Sequence, residues 1–535
     1  MRKITVVLVV LAALIIATVV GATSTQITLL HVSDTDSHLA PFGPKDAALN
    51  AKMGGLTKAA SVIVAEKAKN PAALFVHGGD FMHGDFFFNE YLSVPELQLL
   101  QSIGLDVLAV GNHEFRFGPD LFAGVLDATW PGGAGSVSIV GTNLDLSGYP
   151  VLGAWIEPTI VKDASGVKVG FFGLTTPYDL LELPDPVEIS QDFNGIATES
   201  VEALRGMGAQ VVICLSHLGL DLSRQLAEAV PGIDVIVNAH DHVALHQPEQ
   251  IASPGGRTTL VVSAGAYYRW VGRLELAVDG SDVKFVGYQL IDVDKNVAEQ
   301  PDVAAVVGAL EDGIVARYGD VYHQRLAWAF GTIPNKGDPS DRARDTAVGN
   351  LWTDAYRKRT GTDIAIEVNG YLDAPIPPGR VVGADLFRVN SGGLPAFDLD
   401  TGKVRVPPFH LVTMHLRGDQ LVQALEIMLT IGQDAFFPQV SGMSFDYDSS
   451  QPPLQQVILK SIRVGKRRLE TGHFYSLTVN EEVNLFLPLL GIPVSDVDVR
   501  PDVGFEAVRD LVKARGFLFP WPEGRIRDVG VSHHH

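Results

Sequence analysis

The sequence predicts an α/β chain of two domains, and three observations carry that expectation. Its 535 residues exceed what one ordinary hydrophobic core holds. From Ile27 to about Asp294, short apolar runs rich in Val, Ile, Leu and Ala alternate with helix-like stretches, the pattern of strands buried on both faces and covered by helices. From about Gly331 the texture changes to mixed strands with Pro/Gly-rich turns such as DAPIPPGR and NSGGLPAF. Hydrophobic residues make up 46% of the chain, which supports large cores and excludes a disordered polymer.

In chain order, residues 1–24 come first. Arg2 and Lys3 precede an apolar run from Ile4 to Val20, and the small residues Gly21, Ala22, Thr23 and Ser24 follow. A basic end, an apolar stretch and a small-residue exit read as a secretory signal cleaved near Ala22, with an uncleaved anchor as the alternative. The chain is therefore expected to be exported to the periplasm, the cell surface or the medium, and to meet a membrane only if that segment is retained. The first domain is expected over 27–300, with strands in ITLLHVSD, AALFVHGGD, DVLAVGNHE, VKVGFFGLTT, QVVICLSHLG, IDVIVNAHDH and TTLVVSAGA. Helix-like segments lie between several of them, for example Leu56 to Lys69 and Val201 to Met207. A connecting helix, PDVAAVVGALEDGIVARY, occupies a linker over 301–330. The second domain runs over 331–529 and opens on a helix in DTAVGNLWTDAYRKRTG.

Charge and cysteine content narrow the classes of function. Lysine and arginine total 41 against 62 acidic residues, a net charge of −21. Such a surface repels nucleic-acid backbones, so no polynucleotide partner is expected. Cys214, the single cysteine, sits in an apolar run and reads as a small buried hydrophobe; no intrachain disulfide can form.

Polar residues collect where the apolar runs end: Asp34 and Asp36, Asp80, Asn112 and His113, His217, His240 and His242. The carboxyl ends of strands in an open α/β sheet face the ligand crevice, so five such endings on one sheet would gather these side chains at one edge. Carboxylate, amide and imidazole donors in this mixture suit two borderline divalent ions such as Zn, Mn, Fe or Co. Two ions about 3.5–4 Å apart can clamp a phosphoryl oxygen and activate water, and His113 beside Asn112 could protonate a leaving oxygen. Singly, each residue has a structural reading: Asp80 as a helix cap, His217 as a satisfied core histidine, Asn112 as a turn residue. His77, His83, His246, His410 and His415 fall outside the pattern and keep that structural reading.

In order and spacing, D-x-D after the first run, GGD, GNHE, SH and then H-x-H resemble the calcineurin-like metallophosphoesterases. ITLLHVSDTDSHLAPFG with LSHLG and NAHDH resembles the 5′-nucleotidase / UDP-sugar hydrolase branch, and GTDIAIEVNG, PPGRVVGADLFRV, LRGDQLVQALE and FFPQVSGMSFDYD resemble its C-terminal domain. The resemblance implies a four-layer αββα metallophosphoesterase domain followed by an α+β substrate-recognition domain, with the site in the cleft between them. It implies that Asp34, Asp36 and His242 hold one metal, that Asn112, His217 and His240 hold the other, that Asp80 bridges both, and that His113 is the catalytic histidine. The implied activity is hydrolysis of a small phosphate ester, a nucleoside monophosphate first of all, by metal-activated water.

The chain departs from that pattern at four places. Asp36 stands where the family has His. Arg116 stands where the family has the Asp that orients the catalytic histidine, and a cation cannot accept an imidazole N–H, so His113 is expected to lack that acceptor. NGG-x-x-R, whose Arg grips phosphate, reads Asn369, Gly370, Tyr371, Leu372, Asp373. The aromatic pair that stacks the base is carried only by Phe436, Phe437 and Phe486, with Asn369 and these rings as candidate substrate contacts. Two other readings stay open beside the nucleotidase: a hydrolase of another small phosphorylated or sulfur-containing ester, and a binding protein that has lost turnover.

Overall fold

The computed structural model describes residues 24–43, 52–176, 187–337, 340–393, 396–397, 404–406, 408–431 and 434–531. The expected secretory segment, but for Ser24, lies outside the described residues. Among those described, no helix is long and apolar enough to cross a membrane.

All seven apolar runs form strands: β1 (Thr25–Val32), β2 (Leu74–His77), β3 (Val107–Ala109), β7 (Val167–Thr175), β8 (Val211–His217), β9 (Val235–Asn238) and β11 (Arg257–Ser263). With β4 (Ser138–Val140), β5 (Ile156–Glu157), β6 (Thr159–Ala164), β10 (Glu249–Ser253), β12 (Trp270–Asp279) and β13 (Asp282–Asp292), they build two sheets rather than one. The first has the order β13-β12-β1-β2-β3-β4-β5, the second β10-β11-β9-β8-β7-β6. Strands β1 to β5 run parallel, and β12 and β13 add an antiparallel edge. Burial explains why the runs are apolar throughout. One face of each sheet meets the other across a shared core of Leu29, Val76, Val107, Phe171, Ile213, Val237 and Leu274. The outer face of the second sheet packs Phe172, Val212, Cys214 and Ile236 against α5 (Phe193–Gly206) and α6 (Leu220–Ala229). The outer face of the first packs Leu30, Val32, Phe75 and Leu108 beneath α1 (Leu56–Lys69), α2 (Phe86–Tyr91), α3 (Val94–Ser102) and α4 (Pro119–Thr129). These are the four αββα layers. Cys214 is buried and unpaired.

The stretch Pro301–Tyr318 is one helix, α7, which buries Val303, Val307 and Ile314 against the first domain. The second domain opens on α8 (Ala347–Thr360). The Thr346 side chain caps it by accepting from the Gly349 N–H, and Gly361 ends it in the left-handed region, as the sequence signals require. Behind α8 lies a five-stranded sheet of β16-β14-β17-β15-β18, where β14 is Ile364–Val368, β15 His410–Arg417, β16 Pro438–Ser441, β17 Phe474–Asn480 and β18 Ser495–Val503. The two domains meet at α2. Phe86 stacks on Phe387 at 4.2 Å, and the buried Arg388 donates from Nε to Asp85 at 2.6 Å.

Candidate metal centre

The two sheets converge on one edge. Asp34, Asp36, Asp80, Asn112 and His113 follow β1, β2 and β3 of the first sheet, whereas His217, His240 and His242 come from the ends of β8 and β9 of the second. The expectation of one sheet edge is corrected to two facing edges. The backbone bends sharply there. Five of the seven expected ligands, Asp34, Asp36, Asp80, His240 and His242, have φ between 45 and 86°, a left-handed conformation that costs non-glycine residues on the order of 1–3 kcal/mol each. Gly111 is required for the close approach of the two loops, since a methyl there would collide with the Asp80 carboxylate and the His217 ring.

Possible donor atoms fall into two groups that share Asp80. Asp80, His217 and His240 place one donor atom each within 4.8 Å of one another, and so do Asp36, Asp80 and His113. Asn112 Oδ1 lies 3.1 Å from His217 Nε2 and 3.1 Å from His240 Nδ1. His217 Nδ1 lies 2.9 Å from the Gly78 carbonyl; donation there fixes the tautomer and leaves Nε2 as the ligand atom, 3.0 Å from Asp80. His242 Nε2 stands 3.8 Å from both Asp34 Oδ1 and Asp36 Oδ2.

The electrostatics of this site call for cations. Asp34, Asp36 and Asp80 are all buried, and Asp34 Oδ2 has no hydrogen-bond partner, a costly state for a carboxylate oxygen. Burial pushes the Asp34 carboxyl up to about 8 and raises Asp36. Burial also opposes ionisation of Asp80, but the charges of His113 and His217 outweigh it and hold that carboxylate well below its usual range. Burial would lower His217, yet the Asp80 charge prevails and lifts it to about 10. Burial pushes His240 and His242 down to about 3, leaving neutral imidazoles fit to ligate. Without metal, protons balance the three carboxylates. Divalent cations would do the same and would give Asp34 Oδ2 a partner, so the residues fit such ions.

His113 and Arg116 differ from the sequence expectation. His113 does have an acceptor: its Nδ1 lies 3.0 Å from Asp36 Oδ1. Burial and Arg116 lower its pKa, but Asp80 and Asp36 together raise it well above the usual histidine value. Arg116 is buried, 5.9 Å from the ring centroids of Tyr371 and Phe409. The two departures at 36 and 116 therefore offset each other, because the carboxylate absent at 116 is present at 36.

The cleft over the centre holds 240 Å³ and is lined from the second domain by Asn369, Asp373, Arg388 and Asp434, and by Lys336 from the segment before α8. Asn369 donates to Asp434 and accepts from Gln439. Phe437 and Phe486 do not line it. Phe437 is buried beside Tyr447, and the partly buried Phe486 packs edge-on to Phe436 at 5.8 Å against the core of the second domain. Sequence reasoning passed over two residues. His83, given a structural reading, lines the cleft 5.3 Å from the His113 ring. Glu114 accepts the backbone N–H groups of Gly111, Asp80, Phe81 and Met82, tying the GGD loop to the GNHE loop. Its place inside GNHE was the available signal.

A four-layer αββα fold with Asp, Asn and His side chains gathered at facing sheet edges is that of a calcineurin-like metallophosphoesterase. Residues 27–244 match the calcineurin-like phosphoesterase family, and residues 329–482 match the 5′-nucleotidase C-terminal domain. The chain belongs to the two-domain calcineurin-like phosphoesterases that carry this C-terminal domain, and it is a hydrolase of phosphoester bonds. It is 24% identical, over 94% of its length, to a trifunctional nucleotide phosphoesterase of Bacillus subtilis, of which it spans 35%. It is 24% identical to a 5′-nucleotidase of Diplobatis ommata, with 95% of this chain and 90% of that one aligned. Its fold is similar to that of a 5′-nucleotidase precursor from Thermus thermophilus, at a TM-score of 0.80 and 25% identity over 94% of this chain and 99% of that one.

Proposed function

We propose that the chain hydrolyses phosphate monoesters, 5′-nucleotides foremost, to the free alcohol and inorganic phosphate at a site for two divalent cations. The place of Asp80 at the cleft, grouped with His217 and His240 on one side and with Asp36 and the His113 ring on the other, is the observation that supports this reading. Asp34, Asp36 and His242 would hold one cation, Asn112, His217 and His240 the other, and Asp80 both. Bound there, the cations supply the charge that activates water and neutralises phosphoryl oxygens.

The chain's own residues do the rest. Asp36 Oδ1 accepts the Nδ1 proton of His113 and fixes the ring. This leaves Nε2 to donate its proton to the leaving oxygen. Lys336 is exposed, lines the cleft, and makes no hydrogen bond or ion pair among the described residues, which suits it to the phosphate. The nucleotide preference is supported by the relatives named as 5′-nucleotidases. Export is supported by the basic-apolar-small pattern of residues 1–24.

Phosphate release from AMP, a sugar phosphate, an aryl phosphate and a sulfur-containing ester, each with Zn, Mn, Co or Fe added, tests the proposal. Fastest turnover on AMP supports it. Turnover confined to the sulfur-containing ester would replace it with the sister reading.

A further inference from the structure

Where the linker enters the second domain, a three-stranded sheet of Gly379–Val381, Ala327–Ala329 and Phe517–Leu518, in that order, turns one face to solvent. Strand alternation decides which side chains point outward. Ala327, Ala329 and Leu518 are buried, whereas Trp328, Phe330, Phe517 and Phe519 are 39, 57, 56 and 55% exposed, and Trp521 just beyond them is 68% exposed. Trp328 lies opposite Phe517 on one side and Arg380 on the other, so the rings and that guanidinium share the face. So many large rings gathered at a surface mark a partner or a membrane.

Ring geometry and charge choose among the occupants. Phe330 stacks on Phe519 at 5.2 Å and 13° and on Phe517 at 5.7 Å and 25°. The ring faces are largely spent on one another, which leaves a row of apolar edges rather than a flat platform for a sugar. Arg380, and Arg325, exposed two residues before the sheet, make no side-chain hydrogen bond or ion pair among the described residues. Their charged neighbours are matched, Arg515 by Asp354 and Glu523 by Arg525. On a chain of net charge −21, two unmatched cations beside the aromatic patch give the occupant a negative sign. A second copy meeting this face across a two-fold axis would bring the same arginines together, which disfavours self-association.

We propose that this face docks on the surface of a bilayer that carries anionic headgroups. Trp328, Phe330, Phe517, Phe519 and Trp521 enter the boundary between headgroups and acyl chains, where aromatic side chains are favoured, and Arg325 and Arg380 lie against lipid phosphates. None of these residues lines the metal cleft, so the docking face is separate from the metal centre. Export, proposed above, would keep the chain beside such a bilayer.

Co-sedimentation of the full chain with vesicles of equal phosphatidylglycerol and phosphatidylcholine, the latter brominated in its acyl chains, tests it. Wild-type protein should bind with quenching of its tryptophan fluorescence, and the binding should weaken as salt is added. Trp521→Ser and the double variant Phe330→Ser with Phe519→Ser should each weaken binding about tenfold. Arg325→Gln and Arg380→Gln should weaken it about fivefold each, and should change nothing on vesicles of phosphatidylcholine alone. Circular dichroism checks the fold of each variant; if the double variant fails to fold, Trp521→Ser and the two arginine variants decide the matter from surface positions. Wild-type binding and quenching in all of them would show that residues 1–24 make the contact, and would overturn the proposal. Absence of binding at millimolar lipid would overturn it too. A dimer that the same variants dissociate, with no vesicle binding, would give the face to a second copy instead.

Discussion

Glu114→Ala tests the scaffold beneath the metal centre. Glu114 is fully buried and accepts from Gly111 at 2.6 Å, Phe81 at 2.9 Å, Asp80 at 3.0 Å and Met82 at 3.2 Å. Alanine strips the acceptor from four backbone N–H groups at once. A buried group left unsatisfied costs about 1–3 kcal/mol, and the total falls short of the sum because the loops relax and admit water. We expect a loss of about 4 kcal/mol. Glu114→Gln keeps the shape, accepts through one oxygen and turns an amide NH₂ on the remaining donors, for a loss of about 2 kcal/mol. Urea unfolding of the metal-free variants, followed by circular dichroism, reads the change as a lowered midpoint. Elemental analysis should show metal lost in the same order, because the tether holds Asp80 beside Asn112. A wild-type midpoint and full metal content in Glu114→Ala would refute the reasoning.

Three further outcomes are expected. Asp36→Asn should lower kcat on AMP by about 10–100-fold through loss of a charged acceptor for His113, whereas Arg116→Asp, which puts a carboxylate among the Tyr371 and Phe409 rings, should give no gain; a rise in kcat for Arg116→Asp would restore the reading that His113 lacks an acceptor. His31 is fully buried and pushed down to about 3 by burial, so it stays neutral in the fold while the unfolded chain takes up a proton near pH 6.5. Its contribution is complete above about pH 6.5 and is lost as pH falls toward 3, roughly 3 kcal/mol between pH 6.5 and 4, and an equal acid slope for His31→Leu in pH-dependent urea unfolding would contradict this. Gly272 pairs with His31 across β1 and β12, and a methyl there would overlap the imidazole, so Gly272→Ala should cost about 1–3 kcal/mol, measured as a fall in the urea midpoint.

Much of the fold could be read from residues because burial leaves a plain mark. ITLLHVSD and VKVGFFGLTT have no polar face, and β1 and β7 have none to offer, being covered on both sides. The pairing of the strands into two sheets was not legible from the runs alone, since a buried strand carries no label for its sheet. The edge hairpin β12–β13 went unremarked because its half-exposed residues lack a continuous apolar run. At the site, order and spacing marked each metal-ligand candidate. The Asp36–His113 contact did not show, because residues 77 positions apart in sequence meet only through the fold. Phe437 and Phe486 show the opposite difficulty: an aromatic residue reads alike whether it lines a cleft or packs a core, and here Phe437 is buried in the second-domain core while the partly buried Phe486 packs against it.

The measurement that bears most directly on the central claim is phosphate release from AMP by the wild-type chain and by Asp80→Ala, each stripped with chelator and then reloaded with divalent metal. The account predicts release by the reloaded wild type, none after stripping, and loss of both activity and most bound metal in Asp80→Ala, because that carboxylate belongs to both groups of possible donors. Release that survives chelation, or that is undiminished in Asp80→Ala, would contradict it.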